Sequence, residues 1–252
     1  MILLDVGNSA VKWATERDGV LEAGGRFYYR DVGFARAAER EWQDLAAPSL
    51  VAVASVARAD VECELSAWTG KAWGMTPCFI RAGKEAAGVT NAYADAGTLG
   101  ADRWAAIVAA HHATKRPVCV IDCGTAITLD VVDADGLHQG GLIAPGLDMM
   151  RRSLMQETAA IGALAVEAGG MAPTLGRNTT DAVNSGVMHM AGALVDRCIE
   201  EAARRYGPAL EAVITGGDAG KLLPVLRRSP RHDRDLVLKG ISILAREALC
   251  GT

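Results

Sequence analysis

The fold of this chain is decided by the stretch Val118-Cys-Val-Ile-Asp-Cys-Gly-Thr-Ala-Ile-Thr-Leu-Asp-Val-Val132. Its first four residues are apolar and predict a buried strand. Asp122 ends that strand with a carboxylate, which is costly to bury unless it is hydrogen-bonded or paired with a cation. Gly124 allows a tight turn, Thr125 adds a hydroxyl, and the chain returns as a second strand. The stretch therefore predicts a β-hairpin with an acid, a glycine and a hydroxyl at its tip.

The same pattern occurs at the start of the chain. An apolar run precedes Asp5-Val6-Gly7-Asn8-Ser9, and Ala10 to Trp13 follows as the returning strand. One such copy is most often an ordinary polar hairpin, but two distant copies that each follow a buried strand indicate an internal duplication. Duplicated loops of this kind are able to face each other across a cleft and hold a polyphosphate between backbone amides, hydroxyls and metal-binding acids.

Composition excludes several classes of protein. Half of the 252 residues are hydrophobic and 22% are charged, which is typical of a globular protein rather than a disordered chain. The net charge of -4 argues against a nucleic-acid binder, which normally carries a basic face. Asp5 interrupts the N-terminal apolar run, so we expect no signal peptide, and no apolar stretch is long enough to cross a bilayer. The six cysteines show no zinc spacing or Cys-x-x-Cys pair, which favours a reducing cytoplasm.

Strands and helices alternate along the chain, so the predicted fold class is α/β with a duplicated core. A helix over 102–114 ends at Lys115-Arg116-Pro117, which predicts domains over 1–115 and 116–252. The passage 82–99 lacks periodicity and is predicted to be a loop region that supplies side chains to a site. A long helix that reaches Arg205 is predicted to be capped by Thr179 or Thr180.

A further motif, Thr215-Gly216-Gly217-Asp218-Ala219, predicts a strand, a glycine turn and a helix N-terminus. Helix N-termini favour anions, so this turn is a candidate nucleotide contact.

Five motifs in this order resemble the type III pantothenate kinase family, which includes the Bordetella accessory-factor proteins. The motifs are Asp5 to Lys12, Gly100-Ala101-Asp102-Arg103, Asp122 to Ala126, Gly140-Gly141 to Pro145-Gly146, and Thr215 to Ala219. The resemblance implies the acetate-and-sugar-kinase/Hsp70/actin superfamily fold, with two ribonuclease-H-like domains, and a homodimer. It also implies ATP-dependent phosphorylation of pantothenate to 4′-phosphopantothenate, the first step towards coenzyme A.

The resemblance assigns the substrate site to Gly100, Ala101, Asp102, Arg103 and to more distant side chains. Asp102 is implied as the general base; spacing alone favours a helix N-cap, and the resemblance favours the base. Arg103 is implied to bind the pantothenate carboxylate. The alternative, which the sequence leaves open, is a surface arginine paired with a nearby acid. Tyr93 and Thr179 are implied as substrate contacts, with Thr180 as the alternative to Thr179.

The resemblance also assigns contacts for ATP and its cations. The implied ATP-binding residues are Asp5, Val6, Gly7, Asn8, Ser9, Ala10, Val11, Lys12 and Thr125. Gly216, Gly217 and Asp218 are expected to border the adenosine. Asp122 corresponds to a ligand of a monovalent cation, K⁺ or NH₄⁺. Mg²⁺ or another divalent cation is expected to arrive with ATP, because Mg²⁺ prefers phosphates and water to an all-protein cage.

Three other functions share parts of this pattern. A nucleotide-binding accessory or regulatory protein would keep the fold with little or no kinase turnover. A sugar or acetate kinase would share the two Asp-x-Gly loops, but the Gly-x-Asp-Arg match favours pantothenate. A filament-forming actin relative needs additional subdomains for which this chain is too short. The retention of Asp102, Arg103, Asp122 and Thr125 favours the kinase.

Overall fold

The computed structural model, which describes residues 1–158 and 174–250, alternates strands and helices as the sequence predicts. Its strands are β1 (Ile2–Val6), β2 (Ala10–Arg17), β3 (Val20–Tyr28), β4 (Val51–Ser55), β5 (Cys78–Ile80), β6 (Glu85–Ala86), β7 (Val89–Thr90), β8 (Val118–Cys123), β9 (Ala126–Val132), β10 (His138–Pro145), β11 (Glu211–Thr215) and β12 (Arg231–His232). Its α-helices are α1 (Phe34–Trp42), α2 (Ala59–Trp73), α3 (Ala101–Thr114), α4 (Leu147–Glu157), α5 (Thr179–Tyr206), α6 (Ala219–Leu222) and α7 (Leu236–Cys250).

Two five-stranded sheets repeat one topology. The first has the strand order β3-β2-β1-β4-β5, and the second has the order β10-β9-β8-β11-β12. In each sheet the first three strands form an antiparallel meander, and the central strand then pairs in parallel with the fourth strand. This equivalence is the structural form of the duplication that the two acid-glycine hairpins predict.

The chain forms two units whose composition differs from the predicted domains. One unit contains Met1–Ala113 and Asp235–Thr252, and the other contains Thr114–Arg234. The chain first passes from one unit to the other at Ala113–Thr114, close to the predicted boundary at 115. However, the C-terminal helix α7 belongs to the first unit. It contacts β1, β4 and β5, and Gly240 lies against the backbone of Ala105 on α3. Assignment of all of 116–252 to the second domain is therefore wrong, because periodicity shows that a helix exists but not which sheet it covers.

The core of the first unit is rich in aromatic residues. Alternate residues of β1, namely Ile2, Leu4 and Val6, pack against α1 and α2 on one face of the sheet. An aromatic cluster completes this core, and its members are Trp13, Phe27, Tyr29, Phe34, Trp42, Trp68 and Trp73. Because side chains alternate along a strand, Leu3 and Asp5 project from the other face.

The core of the second unit follows the same alternation. Cys119, Ile121 and Cys123 of β8 pack against α4 and α5, so Val120 and Asp122 belong to the opposite face. The two acids Asp5 and Asp122 therefore occupy equivalent positions, near the carboxyl end of a central strand and away from the larger apolar cluster of its unit.

The N-cap of the long helix α5 is Asn178, and the prediction of Thr179 or Thr180 is wrong. The Asn178 side chain accepts a hydrogen bond from the backbone N–H of Asp181 at 2.9 Å and donates to the Asp181 carboxylate at 2.8 Å. Asparagine ranks above threonine as an N-cap, so residue type favours Asn178, and the prediction passed over this residue. No helix in the described ranges has both the length and the hydropathy needed to cross a membrane.

Gly240 tests how α7 is seated in the first unit. A Cβ at this position would overlap the Ala105 backbone, so Gly240→Ala should lower the free energy of unfolding by about 1–3 kcal/mol or more through overpacking. Urea denaturation measures this change. The control is Gly70→Ala on α2, where a Cβ meets no atom within 4 Å and should stabilise by at most about 1 kcal/mol. Equal stability of the two variants would contradict the observed packing of α7 on α3.

Candidate active site

The first hairpin places a carboxylate and an ammonium side by side. Asp5 of β1 pairs across the antiparallel ladder with Lys12 of β2, so both side chains project from the same face. The Lys12 ammonium also lies 2.9 Å from the carboxylate of Asp235, just before α7. Both Asp5 and Lys12 are partly exposed. This end of the sheet therefore presents both signs of charge beside the glycine turn.

The turn itself contains Gly7, Asn8 and Ser9 and is closed by a hydrogen bond from the Gly7 N–H to the Ala10 carbonyl at 3.0 Å. Among the described residues, a Cβ at Gly7 would meet nothing closer than that carbonyl, at an ordinary 3.6 Å, so their packing does not require glycine here. Because glycine has no side chain, it leaves open space beside the turn.

The predicted ATP-binding residues of this hairpin divide into two groups. The side chains of Val6 and Val11 are buried in the aromatic core and anchor the hairpin from below. The remaining members are at least partly accessible: Asp5, Gly7, Asn8, Ser9, Ala10 and Lys12. Any contact between Val6 or Val11 and a ligand would therefore run through the backbone.

Asp102 lies in the first turn of α3. The Trp104 N–H donates to the Gly100 carbonyl at 2.9 Å, which makes Gly100 the N-cap and Asp102 the second helical residue. The alternative that Asp102 is the N-cap is wrong. Its Oδ1 accepts the N–H of Arg103 at 2.7 Å, and the positive end of the helix dipole favours a carboxylate there.

Val56 connects the α3 turn to the first hairpin. Its N–H donates to the carbonyl of Val6 at 3.0 Å, directly before Gly7. Its Cγ1 lies 3.6 Å from the position that a Cβ on Gly100 would occupy. The Gly100–Arg103 turn and the glycine turn of the hairpin are therefore neighbours at the carboxyl ends of β1 and β4, where open α/β sheets generally bind ligands.

Arg103 and Tyr93 form a pair beside Asp102. The Arg103 guanidinium donates to the Tyr93 hydroxyl at 3.0 Å, and its Cζ lies 5.7 Å from the centre of the Tyr93 ring. Arg103 is only 7% exposed, so it is not a surface arginine. A buried guanidinium that is held in one orientation is suited to a planar carboxylate.

Asn91 orders the loop that carries Tyr93, a role that the sequence reasoning missed. Its fully buried side chain donates to the carbonyls of Gly83 and Ala96 at 3.1 and 3.2 Å and accepts the Tyr93 N–H at 3.0 Å. The predicted loop region 82–99 therefore contains β6, β7 and a short 3₁₀ turn at Ala96–Thr98. The only available signal was the Asn-x-Tyr spacing, which is also common in ordinary turns.

The second hairpin repeats the first with a shorter turn. Gly124 and Thr125 alone separate β8 from β9, and the Gly124 N–H donates to the Ala126 carbonyl at 3.0 Å. Thr125 is exposed at the tip. A Cβ at Gly124 would again meet only ordinary contacts, at 3.5 Å or more, so this glycine also supplies clearance.

Asp122 lies between two threonines. It pairs with Thr128 in the antiparallel ladder and with Thr215 in the parallel ladder. Residues in register project from the same face of a sheet, so a carboxylate and two hydroxyls line one strip. At the position equivalent to Lys12, this hairpin therefore has a neutral hydroxyl in place of an ammonium.

The glycine turn after β11 closes against this strip. Gly216 has a positive φ of 96°, and a Cβ there would overlap the Cys123 carbonyl and lie 2.5 Å from Asp122 Oδ1, so glycine is required. The N–H of Asp218 donates to the Cys123 carbonyl at 2.9 Å. The predicted nucleotide turn is thus held directly beside the second hairpin.

The predicted substrate threonines lie at the start of α5. Thr179 is exposed at the first position of this helix, and Thr180 is partly buried.

The cysteines near this hairpin are structural. Burial raises the pKa of Cys123 to about 12, with the nearby Asp122 and Asp218 carboxylates adding to the effect. Burial likewise raises the pKa of Cys119 to about 12. Both thiols are protonated at neutral pH, which excludes them as nucleophiles.

Comparison with known proteins places the chain in one family. The family model described as type III pantothenate kinase matches residues 1–201. A type III pantothenate kinase from Nitrosococcus oceani is 39% identical over 254 residues, covering 98% of this chain and 94% of that protein. The chain belongs to the type III pantothenate kinase family.

Solved structures confirm the predicted fold class for this family member. A Campylobacter jejuni protein described as a Baf-family transcriptional activator has a TM-score of 0.60 at 18% identity and covers 99% of this chain and 100% of its own. The activator of 2-hydroxyisocaproyl-CoA dehydratase from Clostridium difficile, with bound ADPNP, has a TM-score of 0.52 at 13% identity and covers 100% and 96%. These likenesses show the shared acetate-and-sugar-kinase/Hsp70/actin fold.

The raised thiol pKa values predict selective alkylation. With iodoacetamide at about pH 8, the exposed Cys63 should react, whereas Cys119 and Cys123 should not, because a thiol whose pKa is about 12 is almost wholly protonated there. Peptide mass spectrometry measures the modified fraction at each position. Unfolding in urea before treatment serves as the control and should make all three reactive. Rapid labelling of Cys123 in the folded protein would contradict its burial.

Proposed function

We propose that the protein transfers the γ-phosphoryl group of ATP to the primary hydroxyl of pantothenate, forming 4′-phosphopantothenate. Membership of the type III pantothenate kinase family supports this activity. The structural observation that most supports it is the position of Val56, which contacts both turns. The Gly100–Arg103 turn is therefore a neighbour of the first glycine turn. Asp102, the buried guanidinium of Arg103 and the first glycine turn thus lie at one edge of one sheet.

Asp102 acts in this proposal as the general base for the acceptor hydroxyl. The helix dipole and the Arg103 N–H, 2.7 Å from its Oδ1, both favour the ionised carboxylate that a base requires. In a loose phosphoryl-transfer transition state the nucleophile is only weakly activated, so an ordinary carboxylate suffices to take the proton late.

Arg103 and Tyr93 act as the clamp for the pantothenate carboxylate. Burial of the guanidinium strengthens its attraction for an anion relative to a surface arginine. The hydrogen bond from Arg103 to the Tyr93 hydroxyl fixes the plane of the fork before substrate arrives. Thr179 is proposed as a further substrate contact.

The two acid-glycine hairpins act as phosphate loops. Backbone N–H groups and the hydroxyls of Ser9 and Thr125 would approach the phosphates. The packing of the described residues does not require glycine at Gly7 or Gly124, so the open space beside both turns is available to a ligand. The Lys12 ammonium supplies positive charge. In the described ranges no three His, Cys, Asp or Glu side chains converge on a metal site, which suits a Mg²⁺ ion held largely by phosphates and water. Bound Mg²⁺ would neutralise charge on the phosphates.

Replacement of Asp102 by asparagine tests the proposed base. Asp102→Asn keeps the size of the side chain but removes the proton acceptor, so kcat should fall by at least about a hundredfold. ATP affinity should remain within about twofold, because the phosphate loops are unchanged. A coupled ADP-release assay with ATP, Mg²⁺, K⁺ and pantothenate measures turnover, and calorimetry measures nucleotide affinity.

The matched control is Asp60→Asn. Asp60 is also the second residue of its helix, α2, and its Oδ1 accepts the next backbone N–H at 3.0 Å, as in Asp102. The control should retain full activity. Normal turnover by Asp102→Asn would contradict the proposed base. Tight ATP binding by the native protein without any phosphorylated product would instead favour the nucleotide-binding regulator.

We further propose that Asp122 holds K⁺ or NH₄⁺ near the phosphates. Asp122 is in register with Thr128 on one neighbouring strand and with Thr215 on the other. Thr128 occupies the position that Lys12 has in the first hairpin. Oxygen ligands of this kind suit a hard monovalent cation. The cation would offset the charge of Asp122 where polyphosphate arrives.

Cation dependence tests this assignment. Native turnover should be higher in KCl than in NaCl at equal ionic strength, and Asp122→Asn should lose most of that difference, because the neutral amide no longer attracts a cation. The control is Asp135→Asn, an exposed acid in the turn between β9 and β10 of the same unit, which should keep the native ratio. An Asp122→Asn variant that still prefers K⁺ would refute the proposed ligand.

We propose a homodimer that acts in the cytoplasm. Large apolar side chains are exposed on β10, α4 and α5 of the second unit: Leu142, Ile143, Met149, Leu154 and Met190. Burial of such a surface against a second copy removes apolar area from water. Among the described residues, no atom lies within 4 Å of a Cβ added to Gly186 on α5, which leaves room for a close approach. The free cysteines, which include Cys63 and Cys78, fit a reducing compartment.

A further inference from the structure

We propose that Tyr29 is a positioning residue that sets the conformation of the first phosphate loop. Its hydroxyl donates to the carbonyl of Gly7, and its backbone N–H donates to the carbonyl of Ser9 at 3.3 Å. One residue outside the Asp5 to Lys12 motif thus holds both ends of the three-residue turn. The proposal rests on the assignment of this turn as a nucleotide loop.

The geometry of the peptide unit explains what this contact achieves. The peptide between Gly7 and Asn8 is trans, so its N–H points to the side opposite its carbonyl. A hydroxyl that holds the Gly7 carbonyl on the protein side therefore directs the Asn8 N–H away from Tyr29. Asn8 is the exposed residue of the turn. Tyr29 orients an amide donor where the phosphates are expected, without touching them.

Tyr29 is itself held firmly. It follows β3 directly, is only 6% exposed, and its ring contacts Phe34 edge-on with the ring centres 5.7 Å apart. Its carbonyl accepts the N–H of Gly33 at 2.8 Å. The aromatic cluster thus fixes the ring, and the ring fixes the loop. A preorganised amide costs less to immobilise when the ligand binds.

Burial also keeps the hydroxyl protonated. Loss of hydration raises the pKa of Tyr29 above its ordinary value, Arg30 lowers it and Asp60 raises it further. The hydroxyl is therefore a donor at neutral and mildly alkaline pH. Phenylalanine would fill the same volume but could not hold the Gly7 carbonyl, so that peptide would become free to rotate.

Tyr29→Phe tests the proposal. Calorimetry with Mg-ATP should show an affinity about tenfold lower than that of the native protein, as expected for the loss of one positioning hydrogen bond. In the kinase assay the KM for ATP should rise by about the same factor, whereas the KM for pantothenate should stay within about twofold. Without nucleotide, the amide hydrogens of Gly7 and Tyr29 should exchange faster, since both are bonded within the hairpin.

Two controls separate positioning from general destabilisation. Tyr28→Phe removes the hydroxyl of the adjacent tyrosine, which is 67% exposed, and should leave ATP affinity unchanged. Trp68→Phe removes a hydrogen bond to Glu39 elsewhere in the same aromatic cluster, and should lower thermal stability without weakening ATP binding.

Three outcomes overturn the proposal: native ATP affinity in Tyr29→Phe, equal weakening of ATP and pantothenate, or the same loss of ATP affinity in Trp68→Phe. Failure of the native protein to phosphorylate pantothenate would contradict the proposed function alone. In that case nucleotide affinity and amide exchange would still decide the role of Tyr29.

Discussion

The structure depends on one constraint, which is that the strand carrying each acid is hydrogen-bonded on both sides. β1 lies between β2 and β4, and β8 lies between β9 and β11. A central strand has no free edge, so its register cannot slip without loss of two ladders and reversal of its buried face. The position of each carboxylate is therefore set by the whole sheet. The glycine turns that follow inherit this rigidity, as binding loops on a firm scaffold generally do.

The proposed substrate side of the candidate site uses a different means of rigidity. The loop before α3 is irregular, and the buried amide of Asn91 replaces the sheet ladder by bonding three backbone groups. Buried polar groups of this kind are favourable only when their hydrogen bonds are made, and here each contact also constrains the chain. Tyr93 and Arg103 are consequently positioned through a side chain that need not touch substrate.

The two halves show how a duplicated unit diverges while its topology remains. The first turn has three residues and is supported by Tyr29, whereas the second has two and is supported by the close approach of Gly216. Lys12 in the first ladder corresponds to Thr128 in the second. One half therefore carries a fixed cation beside its acid, and the other offers neutral oxygens. The two halves therefore differ in the charge that they place beside the equivalent acid.

The sequence by itself determined the duplication, the α/β class, the acid-glycine hairpins and the family, because these depend on local alternation of apolar residues and on short motifs. Only the tertiary structure decided that α7 covers the first sheet and that Asn91 and Tyr29 support the candidate site. Each of these depends on contacts that form only when the chain has folded. Such contacts cannot be read from a residue's type or from its local spacing.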